Sequence, residues 1–143
     1  MKILLAPDKF KGSLSAQEVC TALKEGIQKS HPHATIISKP LADGGDGSLA
    51  VLDYYLDLKT ISKTVQDPLE RPIIAHYKLA KDAAYIEMAT ASGLVLLKPE
   101  ERNCLITTSY GTGELIADAL SKGVTKIYLF IGCLLYTSPS PRD

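Results

Sequence analysis

The residues in this chain best suited to chemistry are three aspartates set in two glycine-rich stretches. Asp8 stands beside Lys9 and Lys11 in APDKFKGSLSA, while Asp43 and Asp46 flank Gly44-Gly45 in ADGGDGS. Glycines let backbone amides approach a ligand closely, and carboxylates held beside them could bind Mg2+ or take a proton from a substrate hydroxyl. The alternative is structural: Asp46 is a helix N-cap and Asp43 closes an Asx turn. In the first stretch, Lys11, Gly12, Ser13 and the opening amides of a helix form a positive, donor-rich pocket for phosphate or carboxylate. The pattern GxxxxGK[ST] is absent from the sequence, so any nucleotide is held by something other than an ordinary P-loop.

Further candidates lie downstream. Glu87 closes a strand ahead of MATASG and is either a ligand-facing carboxylate or a surface charge, and Ser92 follows among small residues. Arg102 could grip a substrate carboxylate through both guanidinium nitrogens, although a lone loop arginine is commonly solvated. In TTSYGTGE, hydroxyls and glycines at a helix start (Thr108, Gly111, Thr112) offer another anion pocket, with Ser109 or Thr112 as simple caps the plainer reading.

The elements that must position these groups follow from periodicity. Ile3–Leu5 reads as a strand covered on both faces and stopped by Pro7. Ser15 and Glu18 have capping-box spacing, and Val19, Leu23 and Ile27 continue a helix that ends near Ser30. Ala34–Ser38 is a second strand, which completes a βαβ unit, and Leu49, Leu52, Tyr55 and Leu56 mark a second helix opened by ADGGDGS. From Lys59 the texture changes to hairpins: Thr60–Gln66, a turn at DPLERP, Ile73–Leu79, a turn at Lys81-Asp82, and Ala83–Glu87. We therefore expect residues 1–58 to belong to a first α/β domain and residues 59–132 to begin a second, with the active cleft between them. Leu115, Ile116, Ala119 and Leu120 make a helix stripe closed by Gly123 as C′ residue, and Lys126–Ile131 is the next strand.

Composition narrows the function classes. The 143 residues are 45% hydrophobic and 22% charged, which is globular. Sixteen basic and sixteen acidic residues balance, with no basic cluster or aromatic interleaving for nucleic acid. The apolar run after Met1 is too short for a leader or a membrane span, so we expect a cytosolic protein acting on a small molecule. Cys20, Cys104 and Cys133 lack metal-ligand spacing and read as reduced thiols. His31 and His33 flank a proline at a helix end, without ligand partners nearby. Nothing in the residues sets the oligomeric state.

Taken in order, APDKFKGSLSA, ADGGDGS, DPLERP, IEMATASGL, RN and TTSYGTGELI resemble the bacterial glycerate kinase family, from Met1 to Gly132. The resemblance implies a Rossmann- or flavodoxin-like α/β domain with a second α/β domain inserted, cut off here after about a third of a family member. It further implies ATP-dependent phosphorylation of D-glycerate with Mg2+, preferentially to 2-phosphoglycerate, 3-phosphoglycerate being the other product. In that reading Asp8, Asp43 and Asp46 supply the base, with Asp43 and Asp46 as metal ligands. Lys11, Gly12, Ser13, Gly44, Gly45, Ser92, Arg102, Thr108, Gly111 and Thr112 hold substrate or phosphate. The chain departs from the family pattern with Lys9 for serine, Asp46 for glutamate, Ser48 for threonine, Glu70 for glycine and Cys104 for proline. The competing class is an α/β protein that holds a phosphorylated or carboxylate metabolite without transfer.

The closing residues 133–143, CLLYTSPSPRD, resemble the translation of a transposase-type sequencing adapter and are set aside as foreign to the fold. On this reading residues 1–143 alone fold poorly and lack kinase activity, because the remaining sheet and much of the nucleotide site are missing.

Overall fold

The computed structural model describes residues 1–10 and 12–132, so expectations for Lys11 and for residues 133–143 lie outside the described residues. The fold is α/β, with two sheets. In the first, β1 (Lys2–Leu5) pairs in parallel with β2 (Thr35–Ser38), in the register Leu4↔Ile37. Their connection is α1 (Ala16–Ser30), which opens with the expected capping box: Glu18 N–H donates to Ser15 Oγ at 3.3 Å, and Ser15 N–H donates to Glu18 Oε2 at 2.7 Å. These reciprocal bonds satisfy donors that a helix start would otherwise leave open. α1 buries Ala16, Val19 and Cys20.

One expectation for this sheet fails. β1 is covered on one face only, for Leu5 is buried while Leu4 is 63% exposed and its neighbour Ile37 is 41% exposed. The apolar run reads as doubly covered because it does not alternate, yet the pleat sends Leu4 to the side opposite Ile3 and Leu5.

α2 (Ser48–Tyr55) leads to the second sheet, β3 (Lys59–Gln66), β4 (Pro72–Ala80), β5 (Ala83–Glu87) and β6 (Lys126–Phe130), ordered β3-β4-β5-β6. The first three strands are an antiparallel meander, and β6 joins β5 in parallel. A parallel return needs a crossover, supplied here by α3 (Ala89–Ser92), two 3-10 turns and α4 (Tyr110–Ser121). Pro72 sits at the first residue of β4, where its missing N–H costs no ladder bond. Gly123, just past α4, adopts φ +81°, the left-handed conformation that ends helices.

The main core lies between the second sheet and α4. Val65, Ala75, Tyr77, Ala84 and Ile86 from the strands meet Leu115 and Ala119 from the helix. Tyr77 is fully buried, and its hydroxyl donates to Asp118 Oδ2 at 2.8 Å. Burial and that neighbouring carboxylate raise the Tyr77 pKa, so the phenol stays protonated as a donor. Asp118 in turn receives Lys122 at 2.8 Å and Lys63 at 3.4 Å, which hold its carboxyl below the ordinary range.

Candidate functional site

The two glycine-rich loops meet, as their positions after β1 and β2 require. Past Pro7, Asp8 Oδ1 accepts the N–H of Lys9 at 2.6 Å, which turns the chain toward the second loop. The Lys9 ammonium donates to the backbone carbonyl of Asp46. Between the loops and the start of α1 lies a cleft of about 280 Å3, whose walls include Asp8, Lys9, Gly12, Ser13, Asp46 and Gly47. Ala16 and Gln17 also line it, and as the first two residues of α1 their N–H groups have no intrahelical acceptor. The Gly12–Ser15 segment is folded onto itself, for Ser13 and Leu14 N–H both donate to the carbonyl of Phe10 at 2.9 and 3.1 Å. Gly12 supports this turn with φ +71°.

Asp43 adopts the Asx turn raised as its structural alternative, with Oδ1 accepting the N–H of Gly45 at 2.8 Å. Asp46, by contrast, is not the N-cap of α2. That position belongs to Gly47, at φ +87°, and it has no side chain to cap with. The acceptor comes from far along the chain: Glu87, at the end of β5, takes Gly47 N–H on Oε1 and Leu49 N–H on Oε2, each at 3.0 Å. Glu87 is 4% exposed. It is therefore not a surface charge, and its carboxylate already occupies the anion-binding end of α2 that the sequence offers to a ligand. Asp46 is freed from capping and lines the cleft.

The downstream candidates form a separate cluster. The hydroxyls of Ser92 and Thr112 are buried and bonded to each other at 2.7 Å, pinning α3 to α4. Gly111 is buried where a Cβ would strike the Gln66 carbonyl, so glycine lets α4 approach β3 closely. Thr108 Oγ1 accepts the N–H of Tyr110 at 3.1 Å at the head of α4, and its own N–H donates to the Pro68 carbonyl at 2.9 Å. Neither Ser109 nor Thr112 caps α4 with its side chain: Ser109 holds the N-cap position without such a bond, and Thr112 is paired with Ser92. Arg102 is exposed at the end of the second 3-10 turn. None of these residues lines the cleft of Asp8 and Asp46.

The DPLERP turn is built around Asp67, a residue whose type alone did not mark it out. Asp67 is 2% exposed and accepts from Leu69 N–H at 2.8 Å, Arg71 N–H at 2.9 Å and Arg71 Nε at 2.6 Å. Burial alone would raise its pKa, but the Arg71 and Leu69 bonds outweigh it and hold the carboxyl below its ordinary value. Arg71 also bonds Glu101 at 2.9 Å, which ties the turn to the crossover.

Two further contacts join the halves. Lys78 of β4 bonds Asp53 of α2 and, at 2.8 Å, Thr60 Oγ1. Gly132, beyond β6, lies so close to Gly45 that a Cβ there would overlap the Gly45 backbone. Among the described residues, no three His, Cys, Asp or Glu side chains cluster as a metal cage. Asp8 and Asp46 on facing loops suit a cation that uses one or two carboxylates and keeps its waters, which is the habit of Mg2+. Among the described residues, no helix is long and apolar enough to cross a membrane. Cys20 and Cys104 are free thiols, the first buried and the second exposed.

Comparison with known proteins agrees with the motif order. The chain is 47% identical over 134 residues to the glycerate kinase of Haemophilus influenzae, covering 92% of this chain and 35% of that protein. It is 43% identical to the glycerate 2-kinase of Escherichia coli over the same shares of each. A crystal structure of a glycerate kinase 2 candidate from Salmonella typhimurium LT2 superposes with a TM-score of 0.73 at 43% identity, covering 94% of this chain and 36% of that one. The chain thus spans about a third of the length of the relatives it matches. The model of the glycerate kinase family matches residues 3–133, and this chain belongs to that family.

Proposed function

We propose that the parent protein is an ATP-dependent glycerate kinase that transfers a phosphoryl group to the 2-hydroxyl of D-glycerate, and that this chain supplies one wall of its active cleft. The observation that carries the proposal is the meeting of Asp8, Lys9, Asp46 and the start of α1 around a single cleft. Phosphoryl transfer asks the protein mainly for positioning and charge stabilisation. The unpaired amides of Ala16 and Gln17, with Gly12 and Ser13, receive an anionic group. Asp8 and Asp46 hold Mg2+ or accept the proton of the attacking hydroxyl, and Asp43 keeps the second loop in its turn. Bound Mg2+ would neutralise charge building on the transferred group. Ser92, Gly111 and Thr112 act from behind, by fixing α3 and α4.

A coupled assay on the full-length protein, with ATP and D-glycerate, tests the reading, and the position of the phosphate follows from phosphorus NMR of the product. Glycerate-dependent ADP release is expected. A folded protein that binds phosphorylated metabolites but releases no ADP would instead be a binding protein.

A further inference from the structure

We propose that Lys9 is a charge-reading latch, which bridges the two loops through the Asp46 carbonyl and offers its remaining N–H groups to an oxyanion of the ligand. The inference rests on the kinase reading for the identity of that ligand, but not for the latch itself. Lys9 crosses the gap alongside the glycines of the second loop, within ordinary contact distance of them. A Cβ on Gly47 would lie 3.7 Å from Lys9 Cδ, and one on Gly45 would lie 3.6 Å from Lys9 Nζ. The side chain therefore runs over the second loop instead of out into solvent, and Lys9 is half-buried. An ammonium has three donors, and the Asp46 carbonyl uses one.

Charge decides what the others are for. Among the described residues that line the cleft, Asp8 and Asp46 are anionic and Lys9 is the cationic one. A ligand carrying phosphate or carboxylate meets two repelling carboxylates there, and Lys9 is placed to offset them with a charge-assisted hydrogen bond. Because the same ammonium holds the second loop, an anion that engages Lys9 sits between the two loops. Phosphate of the nucleotide and carboxylate of glycerate share this chemistry, and separate Michaelis constants tell them apart.

The experiment compares wild type, Lys9→Met and Lys9→Arg in the full-length protein. Lys9→Met is expected to raise the KM of either ATP or glycerate about tenfold, with the other KM within about twofold and kcat within about threefold. Lys9→Arg restores most of the loss. Ionic strength raises the affected KM in wild type and lowers it in Lys9→Met, where screening relieves only the repulsion from Asp8 and Asp46, a difference that a purely structural tether would not give. Both constants unchanged in Lys9→Met, or an unaltered salt response, overturns the proposal. Should wild type itself lack activity, the kinase reading falls, and the latch is judged by thermal shift with inorganic phosphate: stabilisation of wild type but not of Lys9→Met upholds it, and equal shifts or none reject it.

Discussion

The carboxylate of Glu87 and the N–H of Gly47, separated by 40 positions in the chain, meet at 3.0 Å and set the second glycine-rich loop on the end of β5. Glu87→Ala would leave the half-buried Gly47 amide and the buried Leu49 amide without their acceptor. We expect a loss of about 3 kcal/mol in urea unfolding of the full-length protein, with Glu87→Gln losing about half as much because one acceptor oxygen remains. Wild-type stability in Glu87→Ala would show that solvent replaces the carboxylate.

Glu70 occupies φ +62° in the DPLERP turn, a left-handed conformation that costs a side-chain-bearing residue roughly 1–2 kcal/mol. Glycine adopts it freely but loses more chain entropy on folding, so Glu70→Gly should gain only about 0.5–1 kcal/mol. A rise in thermal midpoint checks this. A fall would mean that the Glu70 side chain contributes more than the strain it introduces.

Asp67 makes stability depend on acid. Its folded pKa lies below the ordinary 3.8, so the contribution is fully present above that value and is lost as the pH falls through the lower, native one. Denaturation midpoints measured from pH 7 down to below 3.8 should decline for wild type, and the decline should be shallower for Asp67→Asn. Asp67→Asn should also be less stable at neutral pH, since Arg71 then faces an uncharged partner. Parallel curves for the two proteins would assign the acid response to other groups, Asp118 first among them.

The two aspartates of the second loop should separate kinetically. Asp46→Asn keeps the backbone carbonyl that Lys9 holds and removes only the charge facing the cleft, so kcat in the full-length enzyme should drop at least about a hundredfold. Asp43→Asn retains an oxygen for the Gly45 N–H and should lower kcat by less than about tenfold. The reverse order would move the proton-accepting or metal-holding role to Asp43.

Much of this fold is legible because its signals are local. Ser15 and Glu18 are three residues apart and make the capping box their spacing announces, Gly123 ends α4, and the Lys81-Asp82 turn falls between β4 and β5. The partners of Glu87, Ser92 and Thr112 are not legible, because each is decided by a residue 20 or more positions away. A glutamate at a strand end looks the same in sequence whether water or a helix start lies beyond it. Asp46 misleads for the same reason: the N-cap role its type suits is filled from β5. Leu4 shows the limit of apolar runs, which tell that a strand prefers burial but not what covers its second face.

The attachment of the second loop to Glu87 also bears on how the protein comes into being. The hairpins β3-β4-β5 close over short turns and can pair as soon as they exist, whereas the bonds from Gly47 and Leu49 to Glu87 must close spans of 40 and 38 positions. On the ribosome, ADGGDGS is made before the residue that anchors it. At typical elongation rates it waits roughly 2–8 s for the remaining 40 residues. The meander can therefore form first and serve as the platform on which the second glycine-rich loop settles once β5 is in place.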